Sequence, residues 1–199
     1  NIRFEGDGYS EEWKAEALKR GLTNISHVPE AIMRFNDPQS RSVLIGENIF
    51  NENELTCRME VELEKYTKKV QIESRILGDL AINHIIPTAV IYQNRLLENL
   101  RGLRETFSPE EYEELGAERK DLVKEIQFRI LDIKRLVRDM IQARHVANRM
   151  ASQVEKAYSY EENVKPYMEK IREHIDELEL EIDDEIWPLP KYRELLFTK

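Results

Sequence analysis

The sequence predicts an all-α protein, an elongated antiparallel bundle of three long helices preceded by short N-terminal helices. Composition is the first observation behind this prediction. The chain has 199 residues, of which 35% are charged and 41% hydrophobic, and it contains only 7 Gly and 7 Pro. Such a balance is typical of helix-rich proteins. The second observation is that apolar residues recur at intervals of three and four over long stretches after residue 51, which is the spacing of one helix face.

Residues 1–50 are predicted to form short helices and connecting segments, with one edge strand. Residues 2–4 are the candidate strand, which would need to pair with chain outside this sequence, because one isolated strand has no sheet to join. The other signals are those of helix ends. They are an N-cap at Ser10, a stop at Gly21, first-turn prolines at Pro29 and Pro38, and a stop at Gly46.

Residues 51–199 are predicted to form the long-helix bundle. Asn51 and Glu54 have the spacing of a capping box and open the first long helix. No strong stop follows before Phe107 except Pro87, which removes an intrahelical hydrogen bond and is expected to kink the helix. The next capping box lies at Ser108 with Glu111, which starts a second long helix.

An apolar stripe with heptad-like spacing runs along the second helix, as in antiparallel bundles. A third helix is predicted from a capping box at Ser159 and Glu162, with Pro166 bending its first turns and Trp187 ending it before a last short turn at 191–196. The stripe of the second helix consists of Leu115, Leu122, Ile126, Arg129, Ile133, Leu136, Met140, Ala143, Ala147, Met150, Val154 and Ala157.

Six polar residues between Glu73 and Leu100 form the candidate interface. They alternate with Ile and Leu at helical spacing, and we interpret them as sharing the apolar stripe of the first long helix. Buried polar groups are tolerated when they are hydrogen-bonded, and apolar seams cannot satisfy all of these. The pattern therefore predicts contact with another domain, subunit or protein. The residues are Arg75, Asp79, Asn83, His84, Gln93 and Asn94.

His84 allows two interpretations of its own. It precedes Pro87 by three residues, so its imidazole could bond a carbonyl that the proline leaves free, which is the favoured structural role. The alternative is that it faces a ligand pocket.

Composition also excludes several classes of function. A net charge of −9 argues against nucleic-acid binding, which needs a basic surface. No apolar run approaches the roughly 18 residues of a membrane span, and no signal-peptide pattern opens the chain. Cys57 is the single cysteine, which fits a reducing compartment. We therefore expect a cytoplasmic protein without a membrane partner.

Catalytic and metal-binding patterns fail in this sequence. Gly6 and Gly8 lack the third glycine and the lysine of a phosphate-binding loop and are interpreted as a turn. No glutamate stands three residues before a histidine, so a di-iron motif is absent. The acidic residues 177–185 are interpreted as a solvated helix face. We predict no catalytic, cofactor-binding or metal-binding residue, and an inactive chain when it is alone.

Three stretches resemble the C-terminal region of type III glutamine synthetases, the long-chain bacterial form. They are Glu5-Gly6-Asp7-Gly8-Tyr9-Ser10-Glu11-Glu12-Trp13, the segment 73–103, and the segment 184–197 around Ile186-Trp187-Pro188-Leu189-Pro190. The resemblance implies a helical accessory domain of an ATP-dependent glutamate–ammonia ligase of nitrogen metabolism. It also implies that the catalytic, ATP and Mg sites lie upstream, and that the domain packs on its own catalytic domain and neighbouring subunits in a homo-oligomer.

Two other functions stay open on the residues alone. One is a free-standing helical scaffold or adaptor that binds a protein through the face between Glu73 and Leu100. The other is a small-ligand sensor with a pocket near His84 and Pro87.

Overall fold

Helices make up the regular structure of the chain. The computed structural model describes residues 4–191 together with Glu194 and Leu196, and this part contains no strand. The predicted all-α class is confirmed. Residues 2 and 3 of the predicted strand lie outside the described residues, and Phe4 has no regular structure. The helices are α1 Glu11–Lys19, α2 Val28–Met33, α3 Pro38–Leu44, α4 Glu52–Leu80, α5 Ile86–Thr106, α6 Pro109–Asn148, α7 Gln153–Ser159 and α8 Lys165–Glu181.

The chain divides into two compact units, Asn1–Tyr66 and Thr67–Lys199. The division falls within α4, fourteen residues after its first residue, Glu52. The organisation into 1–50 and 51–199 that the sequence suggests stays a prediction.

Capping chemistry builds the short helices of the first unit as the sequence predicts. The Ser10 hydroxyl accepts a hydrogen bond from the Trp13 amide at 3.2 Å, which satisfies one free N–H at the start of α1. Gly21 follows the end of α1 with φ +72°, a backbone conformation that L side chains rarely adopt. Pro29 and Pro38 lie in the first turns of α2 and α3.

The capping box at the start of α4 is also confirmed. The Asn51 side chain accepts from the Glu54 amide at 2.9 Å, and the Glu54 carboxylate accepts from the Asn51 amide at 2.8 Å. From there the helix runs to Thr106 through a π-helical turn, Ala81–Ile85, that joins α4 to α5. This first π turn ends at Ile85, and Pro87 follows as the second residue of α5.

A second π turn, Tyr160–Val164, joins α7 to α8 and directly precedes Pro166. In an α-helix a proline has no N–H to donate and its ring clashes with the carbonyl four residues earlier. A π turn has a wider ring of atoms, and here the N–H of Ile86 bonds to Ala81 and that of Lys165 to Tyr160, five residues back. The disturbance predicted at both prolines therefore takes the form of a π turn, and the helical run continues.

The third helix begins earlier than the sequence predicts. Helix α6 ends at Asn148, and Ser152 caps α7 by accepting from the Glu155 amide at 3.4 Å. The expected capping box at Ser159 is wrong, because Ser159 is buried inside the helical run and α7 already precedes it. The second helix thus stops before the stripe reaches Val154 and Ala157, which belong to the next helix.

The helices of the second unit pack as an antiparallel set around α6. Gln71 of α4 bonds to Asn148 near the end of α6 at 3.1 Å, whereas Gln93 of α5 bonds to the Val123 carbonyl near its middle at 2.9 Å. Tyr160 likewise bonds to Asn148, whereas Glu177 of α8 pairs with Arg129. Both neighbours therefore run opposite to α6.

The core of this unit is the apolar stripe of α6. Ile133 and Met140 are completely buried, and Arg129, the one charged member of the stripe, pairs with Glu177 at 3.4 Å. Gly78 of α4 is buried beside this core, where a β-carbon would lie in ordinary contact, 3.5 Å from side-chain atoms of both Met140 and Val137. Leu115 is 49% exposed, so the stripe is solvated at its beginning.

We expect Met140→Asp to lower the free energy of unfolding by at least about 3 kcal/mol, because it places a carboxylate in a site without solvent. Thermal melting followed by circular dichroism measures the effect. Phe128→Asp on the same helix is the matched control, since Phe128 is 65% exposed and should change stability by less than about 0.5 kcal/mol. Equal effects of the two substitutions would contradict the position of the core.

Candidate interaction face

An outward face runs along α4, the first π turn and α5, opposite the buried side of the helix. It is defined by exposed residues spaced three and four apart: Ile72, Ile76, Asp79, Asn83, Pro87, Ile91 and Asn94. Its three isoleucines are between 52% and 56% exposed. The extra residue of the π turn keeps Asn83 and Pro87 on the same side as the residues before and after them. Apolar and hydrogen-bonding groups therefore alternate on one solvent-facing surface.

The predicted interface residues lie on or beside this face, but they are not buried. Arg75, Asp79, Asn83, His84 and Asn94 are exposed, and Gln93 is half-buried. The interpretation that they share the buried apolar stripe is wrong. The buried residues are others: Ser74 of α4, and Ala81 and Ile85 of the π turn, face the core. Whether the six residues meet a partner stays a prediction.

Among these six residues, Asp79 and Asn83 bond to each other, and Gln93 bonds to another helix of the bundle. The Asn83 amide donates to the Asp79 carboxylate at 2.6 Å, as expected for residues one turn apart. The Gln93 amide donates to the Val123 carbonyl of α6 at 2.9 Å. Gln93 therefore ties α5 to α6, whereas the Asp79–Asn83 pair is available to solvent.

The two roles predicted for His84 find no support in the structure. Its imidazole makes no hydrogen bond to any residue that the structure describes, and the bond at this position is from the Thr88 hydroxyl to the His84 carbonyl at 2.9 Å. Neither His84 nor Pro87 lines the cavities of about 650 and 310 Å³ that open on α6. The smaller cavity does reach Ile82 in the same π turn.

A polar junction that the sequence does not reveal lies where α4, α6 and the second π turn meet. The buried Tyr160 phenol donates to Asn148 at 2.8 Å, and the Gln71 amide donates to the same Asn148 oxygen at 3.1 Å. Arg75 and Arg144 lie close enough to influence the charge of Tyr160. Burial raises the pKa of Tyr160, and these neighbours only partly oppose the shift.

Arg144 is the functional candidate that sequence analysis misses. It is half-buried, and its Nε is buried without a hydrogen-bond partner among the described residues. Burial first, and Arg75 second, lower the pKa of its guanidinium. No spacing in the sequence could indicate this site, since Gln71, Asn148 and Tyr160 come from three different helices.

The family-like stretches 5–13 and 184–197 make packing contacts within the chain, in the part that the structure describes. In the first unit the rings of Phe4 and Trp13 lie 4.9 Å apart. In the second, Lys191 donates to the Glu179 carbonyl at 2.8 Å and pairs with Asp184, beside the buried ring of Trp187. The segment after α8 therefore folds back onto that helix. Helix α8 itself ends at Glu181, before the predicted end at Trp187.

Among the described residues, no group of three or more His, Cys, Asp or Glu side chains is placed to hold a metal ion. No described helix combines the length and the apolar character that crossing a bilayer requires.

The fold defines the second unit as a helical bundle with a solvent-facing, mixed apolar and polar surface. Residues 1–104 match the family described as the glutamine synthetase C-terminal domain. The chain belongs to that family, as the resemblance of its motifs predicts.

The names of three similar proteins agree with this family assignment. The chain is 72% identical over 198 residues to a glutamine synthetase of Bacteroides fragilis. It is 29% identical to a type-3 glutamine synthetase of Dictyostelium discoideum and 26% identical to a glutamine synthetase of Butyrivibrio fibrisolvens. In each case essentially all of this chain aligns, but it spans only 27% or 28% of the relative's length.

The raised pKa of Tyr160 predicts a pH-dependent stability. Above about pH 10 the unfolded chain loses the phenol proton while the folded chain keeps it, so the contribution present below pH 10 is lost as pH rises toward the folded pKa. The stability difference between the parent chain and Tyr160→Phe should therefore shrink between pH 9 and pH 11 in urea unfolding. Tyr9→Phe is the control, because Tyr9 is 94% exposed. A Tyr160→Phe difference that is constant with pH would refute the assignment.

Proposed function

We propose that the chain is a helical accessory domain of a glutamine synthetase, which packs on the catalytic part of the enzyme and supports assembly of its oligomer. The outward face carries this proposal. Three half-exposed isoleucines and four other exposed residues lie on one side of the helical run, and an apolar row mixed with polar groups is typical of an interaction surface. The length of the relatives adds support, since nearly three quarters of each lies outside the aligned region.

Glutamate–ammonia ligation, with ATP and Mg, then belongs to the remainder of the enzyme. The family and the relatives' names support this division, and the cytoplasm is the compartment that we propose for it. The adaptor function is the weaker candidate, because every relative above carries this region as part of a longer chain. A catalytic role for the chain alone has no described residue to support it.

The isolated chain should form no glutamine. Incubation with glutamate, ammonium, ATP and magnesium, followed by measurement of glutamine and released phosphate, tests this. The full-length enzyme under the same conditions is the positive control. Turnover by a preparation free of host enzyme would contradict the accessory role.

Substitutions on the outward face should weaken the full-length enzyme without unfolding the domain. Ile76→Asp and Asp79→Ala change exposed residues, so the isolated chain should lose less than about 1 kcal/mol of stability. In the full-length enzyme the same changes should shift the oligomer toward smaller species in sedimentation velocity and lower its activity, because a buried interface tolerates neither an unpaired charge nor a lost partner.

Leu180→Asp is the matched control for this test. Leu180 is 82% exposed on α8, a different helix from α4 and α5, which carry the outward face. If all three variants behave alike in the full-length enzyme, the outward face is not the interface. If Ile76→Asp or Asp79→Ala unfolds the isolated chain, these residues serve the bundle itself.

A further inference from the structure

We propose that Arg75 and Arg144 form an oxyanion-binding site, in which a carboxylate or phosphate group is held between two guanidinium groups. The proposal goes beyond the accessory role, because it rests on the arginine pair and not on the outward face.

The antiparallel packing of α4 on α6 places the two arginines opposite each other. Gln71 and Asn148 are joined by a hydrogen bond of 3.1 Å. Arg75 follows Gln71 by four residues, and Arg144 precedes Asn148 by four. Four residues are about one turn, so each arginine lies one turn farther along the same pair of helices. The lowering of the Arg144 pKa by Arg75 agrees with this proximity.

The pair is not neutralised within the described part of the chain. Neither arginine forms an ion pair there, and the buried Nε of Arg144 has no partner. The acidic residue one turn from Arg75 is Asp79, whose carboxylate accepts from Asn83 at 2.6 Å instead. The residues three or four positions from Arg144 are Met140, Ile141, Ala147 and Asn148, none of them acidic.

A partly buried cation beside a second cation is costly, which makes this arrangement informative. Burial removes hydration from the charge, and Arg75 repels it. A domain selected only for stability would place a neutral or acidic residue at one of the two positions. Binding of an oxyanion turns the same arrangement into a favourable one, because it pairs with both cations at once.

The surroundings fix the two helices that carry the arginines. Tyr160 is fully buried and donates to Asn148 at 2.8 Å, and Gln71 bonds to the same residue. These bonds fix the spacing of α4 and α6 one turn from the arginines. A guanidinium is planar and offers paired donors that match a carboxylate or phosphate. The helix spacing beside the site is therefore fixed, and the chemistry of the two guanidinium groups suits oxyanions.

The oxyanion can come from two sources with the same chemistry. It is either a free ion, such as phosphate or a small dicarboxylate, or a carboxylate side chain from the rest of the enzyme. The experiment has one arm for each source. The first arm uses the 199-residue chain alone, and so its outcome does not depend on the accessory role.

In the first arm, the melting temperature of the chain is measured against inorganic phosphate and against glutarate at constant ionic strength. A free-ion site predicts a rise that saturates with concentration. Arg144→Gln and Arg75→Gln should abolish the rise, and Arg144→Lys should reduce it, because lysine lacks the planar fork. Arg119→Gln, an exposed arginine on the same helix, should leave it unchanged.

In the second arm, the same variants are made in the full-length enzyme. A carboxylate supplied by the enzyme predicts that Arg144→Gln lowers its melting temperature more than Arg119→Gln does. In the isolated chain without added anion, Arg144→Gln should leave the melting temperature unchanged or raise it, because it removes a desolvated, repelled charge.

The outcomes separate clearly. Either a saturable, arginine-dependent rise in the first arm or a selective loss in the second supports the site. Absence of both overturns it, and a lowered melting temperature of the isolated Arg144→Gln chain together with that absence assigns Arg144 to the bundle itself. Failure here leaves the accessory role intact, since that role is tested by Ile76→Asp and Asp79→Ala.

Discussion

The second unit depends on the apolar stripe of α6 being shared between two neighbouring helices. Ile133 and Met140 have no exposed surface, so the helices on both sides must contact the same row of side chains. Hydrophobic burial of this kind has no direction of its own. The directional contacts are polar: Gln93 with the Val123 carbonyl, and Arg129 with Glu177. Packing supplies the stability, and these bonds fix the antiparallel alignment.

The two π turns let this packing continue past two prolines. Each π turn ends two positions before a proline: the first at Ile85 before Pro87, and the second at Val164 before Pro166. An ordinary α-helical turn there would leave a clash and a missing bond. The π turn also changes which residues face outward after it, so that Pro87 and Ile91 continue the surface begun by Ile72 and Ile76. The outward face is thus a consequence of the first π turn as well as of residue spacing.

Sequence reasoning succeeded where the signal is local. Ser10, Asn51 and Ser108 cap helices through hydrogen bonds three residues away, and such bonds can be read from spacing alone. It failed at Ser159, where the same spacing occurs inside a helix that had begun at Gln153. The spacing of a capping pattern does not show whether its first residue precedes a helix or already lies inside one. The residue that caps this helix is Ser152, directly before α7.

Burial was the property that the sequence misassigned. The helical pattern placed Arg75, Asp79 and Asn83 among isoleucines correctly, but it could not tell a core stripe from a second, solvent-facing one. A helix with apolar residues on two sides gives two similar periodic signals. Only the contacts of α4 with α6 decide between them, and they select the side of Ser74, Gly78 and Ala81.

The sequence by itself determined the all-α class, the capped helix starts, the positions of the disturbing prolines and the resemblance to one family, because each depends on neighbouring residues or on whole motifs. The tertiary structure alone decided that Gln71 is joined to Asn148, with Arg75 and Arg144 one helical turn from that bond, and that the buried Tyr160 donates to Asn148. Those residues are separated by about seventy positions or lie in different helices. Their proximity is fixed by the alignment of the packed helices, and no local spacing carries that information.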